Sequence, residues 1–77
     1  MNVTIYSTRT CPYCVMAKQF FKEKGIEFKD YDVSEDHSKA KEMMDKTGQM
    51  GVPVIDINGK VIVGFDKPKI EALLNLK

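Results

Sequence analysis

The two cysteines of the chain, Cys11 and Cys14, stand at the junction between a β-rich run, Val3 to Ser7, and a helical pattern beginning at Pro12. Proline has no N–H to give a helix and its φ is fixed. It is well accommodated only in a helix's first turn, where that N–H has no intrahelical partner. Pro12 therefore pins a helix start between the two thiols, with Thr10 or Cys11 as the cap. The chain must leave an extended segment and enter a helix within a few residues, carrying both sulfurs at the helix's N-terminal end.

The remaining segments alternate in the same way. Val3 and Ile5 share one parity and Tyr6 takes the other, which predicts a strand covered on both faces. Ala17, Phe20, Phe21 and Lys24 follow helical spacing, and Gly25 ends the segment. Ile26 to Val33 is predicted as a second strand. Ser34 is predicted to cap a second helix, with Glu35 and Asp36 in its first turn. Ala40, Met43, Met44 and Thr47 would form its inner face and Gly48 its end. Asn58-Gly59, between two apolar β-rich runs, is a type I′ hairpin signal. A last helix runs through "FDKPKIEALLNLK", with Asp66 as cap and Ile70, Leu73 and Leu74 inward. The order β-α-β-α-β-β-α predicts an α/β fold. Its first two strands are parallel through a right-handed crossover, and its last two are antiparallel. Together they make a four-stranded mixed sheet with helices on both faces. With 77 residues and no linker or repeat, one domain over 1–77 is expected.

Several classes are disfavoured. A formal net charge of +1 gives no electrostatic reason for a nucleic-acid or membrane-surface partner. No apolar run approaches the roughly 20 residues of a membrane span. "MNVTIYS" lacks the basic and apolar regions of a signal peptide, so the cytoplasm is the expected location. Thiols are kept reduced there, which argues against a structural disulfide. Zinc needs about four ligands, and His37, in another element, is the one histidine available beside the two cysteines and the carboxylates. No metal site is expected. His37 itself reads as solvated, the Met43-Met44 pair as core filler, and most lysines as decoration of exposed helical faces.

A redox pair fits better. A sulfur at position 11 faces the unpaired N–H groups and positive end of the helix, where a thiolate is stabilised. Arg9 and Lys18 could add positive charge. Position 14 lies one turn further in, within reach of the first sulfur. One thiol can then attack a disulfide and the other resolve the mixed disulfide that forms. Two further signals accompany the pair. Gly51-Val52-Pro53 is either a proline opening a strand or a place where the Val52 backbone groups are free to pair with an extended peptide. Gly64-Phe65-Asp66 opens the last helix, a favourable place for a carboxylate. There Asp66 either caps its own helix or meets a ligand amine.

Cys-Pro-Tyr-Cys after the first strand, Val52-Pro53 at the start of the third, and Gly64-Phe65-Asp66 before the last helix resemble the glutaredoxins. The resemblance runs from Val3 to about Leu76. It implies a thioredoxin-like fold with sheet order 2-1-3-4, glutathione as reductant and co-substrate, and no tightly bound cofactor. Carried over by position, it implies that Cys11 is the nucleophile and Cys14 the resolving thiol, with Tyr13 against glutathione. Val52 would pair with the cysteinyl backbone of the tripeptide, beside a cis Pro53. Gly64, Phe65 and Asp66 would hold the γ-glutamyl end, with Arg9 near the thiolate or the glycyl carboxylate. Disulfide-containing or glutathionylated proteins are the implied partners, and a monomer is expected. Two positions depart from the pattern. Gly51 stands where many members have threonine, and Lys67 where many have a second acid. The Gly64-Phe65-x-x-Pro68 spacing is instead close to the glutaredoxin-like electron donors of ribonucleotide reductase, which draw on thioredoxin reductase. That is the alternative function; an iron–sulfur or metal carrier is a third.

Overall fold

The computed structural model describes residues 2–49 and 51–74. The elements are β1 (Val3–Ser7), α1 (Pro12–Glu23), β2 (Lys29–Asp32), α2 (His37–Thr47), β3 (Val54–Ile57), β4 (Lys60–Val63) and α3 (Lys67–Leu74). The four strands form one sheet in the order β2-β1-β3-β4. β1 runs parallel to β2, and the β1–β3 and β3–β4 pairs are antiparallel. This is the expected topology. Asn58 and Gly59 have φ of 53° and 90°, the two positive values that a type I′ turn requires. Asn75 to Lys77, which the sequence reading assigns to the last helix, lie outside the described residues.

The parity of β1 sorts the core into two layers. Val3 and Ile5 join Ala17, Phe20, Phe21, Ile55, Ile57, Ile62, Ile70 and Leu74 on the side covered by α1 and α3. Tyr6 joins Val33, Met43 and Val54 on the side covered by α2. A sheet apolar on both faces must be covered twice, and three helices achieve it. The second layer carries a polar seam. The Lys46 ammonium donates to the Tyr6 hydroxyl at 2.9 Å and to Asp56 at 2.8 Å, and the Tyr6 hydroxyl donates to Glu42 at 3.1 Å. Burial pushes the Tyr6 phenol above its ordinary range.

Two local expectations are corrected. The second strand is only Lys29–Asp32, because β1 offers partners only for those four residues, Thr4 to Ser7 opposite Lys29 to Asp32. Ile26 instead returns its N–H to the Phe21 carbonyl at 2.9 Å, closing the end of α1. The second helix is capped by Asp36, whose side chain accepts the Lys39 N–H, and not by Ser34. Ser34 is taken by the preceding turn, where its N–H and hydroxyl both donate to Asp32. Glu35 and Asp36 therefore precede the helix. Met43 is buried as expected, whereas Met44 is exposed.

Candidate dithiol site

The ends of β1, β3 and β4 and the N-termini of α1 and α3 assemble the site. Cys11 is the N-cap of α1, with extended backbone (φ −94°, ψ 109°). Its carbonyl accepts the Val15 N–H at 3.2 Å, and its sulfur accepts the Cys14 N–H at 3.2 Å. The sulfur thus occupies the place a serine or aspartate oxygen takes in an ordinary cap. It is partly exposed. Both cysteines are free thiols, and Cys14 is wholly buried at 0% exposure. Burial pushes the Cys14 thiol up to about 12, and its hydrogen bond with Cys11 pushes the same way. The Thr8 backbone and the Lys18 charge pull against both. Similar thiols three residues apart are thereby made unequal: one partly exposed at a helix end, one buried and held protonated.

Across from them, the Val52–Pro53 bond is cis, and the Cys11 sulfur lies 3.9 Å from the Val52 carbonyl. Pro53 is buried. Its carbonyl accepts the Gly64 N–H at 2.7 Å, so the segment entering β3 and the turn leaving β4 are joined beside Cys11. That turn needs Gly64, whose φ of 84° lies where a Cβ is disfavoured. Phe65 packs edge-on against Phe20, with ring centroids 6.0 Å apart, and sets the start of α3 against α1.

The sequence-predicted residues fall into two groups. Cys11, Cys14, Val52, Pro53, Gly64 and Phe65 are linked through the contacts above; Tyr13 projects from the first turn of α1 at 61% exposure. Asp66 caps α3: its carbonyl accepts the Ile70 N–H at 2.9 Å and its carboxylate the Lys69 N–H at 3.4 Å. The two charged candidates are each held by carboxylates. Arg9 pairs with Asp32 at 3.2 Å and with Glu35. Lys18 pairs with Asp30 at 2.9 Å. Lys67 lies over the Phe20 ring, 5.7 Å from its centroid. Sequence reasoning missed Ser7, Thr8, Asp30 and Asp32. The one available signal was Ser7, a polar residue on a strand expected to be covered on both faces. Among the described residues no group of three or more His, Cys, Asp and Glu side chains is arranged to hold a metal, and no helix is long and apolar enough to cross a membrane.

This sheet order, with a Cys-x-x-Cys pair at the start of the first helix, is the thioredoxin-like fold of the thiol oxidoreductases. The glutaredoxin family model matches residues 3–62, and the chain belongs to that family. A glutaredoxin-like 8.6 kDa protein in the rubredoxin operon of Clostridium pasteurianum is 46% identical over 72 residues, which span 94% of this chain and 96% of that one. Glutaredoxin 3 of Escherichia coli is 38% identical over 65 residues, 84% of this chain and 78% of its own. Among solved structures, NrdH-redoxin of Escherichia coli, described as a glutaredoxin-like protein with a thioredoxin-like activity profile, superposes with a TM-score of 0.78. The two are 25% identical over 100% of this chain and 96% of that one.

Proposed function

We propose that the protein reduces protein disulfides and glutathione mixed disulfides, with Cys11 as the attacking thiol, Cys14 as the resolving thiol and glutathione as reductant. The observation that carries this reading is the inequality of the two sulfurs. A partly exposed Cys11 sulfur accepts a helix N-terminal N–H, while Cys14 is buried one turn behind it. The Cys11 thiolate attacks a disulfide sulfur, forms a mixed disulfide and expels one thiolate. Cys14 then attacks the Cys11 sulfur and expels the second. Alternatively, glutathione attacks the substrate-side sulfur of the mixed disulfide first, forms a disulfide with it and expels the Cys11 thiolate. The Val52 backbone beside Cys11 suits the main chain of an extended tripeptide, and Tyr13 offers it an exposed ring. The α3 N-terminus suits a carboxylate, and Gly64 lets the backbone approach it closely. Asp66 divides its carboxylate between its own helix and a ligand amine. Arg9, held by Asp32 and Glu35, acts by fixing the loop before Cys11 rather than by touching ligand. A reduced dithiol of this kind belongs in a compartment such as the cytoplasm.

A second reading has a specific observation behind it. Lys67 replaces the second acid, and its ammonium turns toward Phe20. This leaves the γ-glutamyl amine with Asp66 alone. Together with Gly64-Phe65-x-x-Pro68 and the similarity to NrdH-redoxin, it favours an electron donor to ribonucleotide reductase that is itself reduced by thioredoxin reductase. Paired reductase assays separate the two, with a disulfide substrate and either glutathione plus glutathione reductase or thioredoxin reductase. We expect NADPH consumption with glutathione. Turnover with thioredoxin reductase and none with glutathione replaces the first reading by the second.

A further inference from the structure

Ser7 is a buried polar side chain in the core, at 1% exposure, at the end of β1 nearest the site. Its hydroxyl donates to Asp30 at 2.7 Å, and Lys18 reaches the same pair, 3.4 Å from the Ser7 oxygen and 2.9 Å from Asp30. Lys18 lies four residues after Cys14 on α1, which places the two side chains on one helical face. That face is turned to the sheet, so Ser7 on β1 and Asp30 on β2 hold the Lys18 ammonium on the side of α1 that carries the buried sulfur. The Lys18 side chain retains only 27% exposure, so its charge is less screened than that of a free surface lysine.

We propose that Lys18, held by Ser7 and Asp30, stabilises the negative charge that appears on Cys14 when it resolves the mixed disulfide. This rests on the dithiol reading above and goes beyond it. The resolving step has an unmet need, because burial pushes the Cys14 thiol up to about 12, and a thiol is not a nucleophile. Two groups counter this: the Thr8 backbone, from the loop before α1, and the Lys18 ammonium, from α1 itself. The other facing group is Cys11, which acts in the opposite direction, and Asp30 on β2 meets the site through Lys18. In the step, the Cys14 sulfur loses its proton and bonds to the Cys11 sulfur. The bond from Cys11 to the substrate sulfur breaks, and its electron pair leaves on that sulfur, which takes up a proton. Atoms and electrons balance with no further oxidant or reductant.

The test isolates this step. Reduced protein is mixed with Ellman's reagent, and thionitrobenzoate release is followed by stopped flow. The first release, dependent on reagent concentration, reports attack by the first thiol. The second, independent of it, reports resolution by the other. Each unit by which the Cys14 pKa rises cuts the thiolate tenfold, while the more basic sulfur regains part of that as nucleophilicity. Lys18→Gln is therefore expected to slow the second release by roughly three- to tenfold between pH 6 and 9. Each wild-type rate is then reached at a pH roughly half a unit to one unit higher. Lys18→Arg, which keeps the charge, restores most of the rate. Asp30→Asn breaks the ion pair but keeps the ammonium, and slows the release less than Lys18→Gln does. An unchanged second release in Lys18→Gln overturns the proposal. So does equal slowing in Lys18→Gln and Asp30→Asn, which reduces the pair to a structural tie. Absence of a concentration-independent release in the wild type overturns both this proposal and the dithiol reading beneath it.

Discussion

At Cys14 a side chain is buried at a cost that reappears in the alkaline range. Its thiol is raised from 9.0 to about 12, chiefly by burial. A group raised in the folded state contributes its stability in full below its unfolded pKa. The contribution is lost as pH rises through the folded value, because the unfolded chain ionises first. The window here runs from pH 9 to about 12. Thermal melts of the reduced protein should show Tm falling across that window more steeply than in Cys14→Ala. Parallel slopes in the two proteins would contradict the assignment. Tyr6, also raised by burial, titrates in both proteins and cancels in the comparison. The structure makes Cys11 rather than Thr10 the cap of α1. That a thiol would sit at the end of α1 was legible in the sequence because Pro12 fixes where the helix begins. The engagement of Arg9 was not. Its partners Asp32 and Glu35 lie more than twenty residues away, and nothing local to the loop announces them.

Among the elements, α2 shows how local signals compete. Ser34 and Asp36 are both capping residues by type, and the sequence offers no rule for choosing between them. The choice is made by Asp32 at the end of β2, whose carboxylate takes the Ser34 N–H and hydroxyl and leaves Asp36 to cap the helix. Those same bonds, with Ser34 first, hold the Asp32 carboxyl below its usual range. Asp36→Ala should destabilise the protein by about 1 kcal/mol, the typical value of a lost N-cap. Ser34→Ala should cost less, since it removes an exposed turn contact and no helix cap. Urea denaturation of the two variants measures the difference, and a larger loss in Ser34→Ala would restore the sequence-based cap. β2 was overextended for a related reason. An alternating apolar run marks where a strand can form, but the pairing partner decides how much of it does. The hairpin at Asn58-Gly59 was read correctly because both positive φ values are needed at adjacent residues, and that sequence supplies them.

For the whole molecule, the layered plan followed from one strand's parity and the order of the elements. The site did not follow from either. Bringing Val52 and the Gly64 turn to Cys11 depends on a Cys11–Val52 contact between residues 41 apart in the chain, with the Gly64 turn tied to Val52's neighbour through the Pro53 carbonyl and the Gly64 N–H. Local patterns carry no such information, and only the resemblance to glutaredoxins supplied it. The polar seam of Tyr6, Glu42, Lys46 and Asp56 was invisible for the same reason, its hydrogen bonds from Tyr6 spanning 36 and 40 residues. The result is a frame in which one thiol is offered to solvent at a helix end and its neighbour is kept behind it. The most direct measurement is to expose Cys14→Ser and Cys11→Ser proteins to a glutathionylated peptide at neutral pH and map the glutathione by mass spectrometry. Glutathione should accumulate on Cys11 of the Cys14→Ser protein, and the Cys11→Ser protein should remain unmodified and inactive. Glutathione on Cys14 of the Cys11→Ser protein, with none on Cys11 of its counterpart, would contradict the assignment of the two thiols.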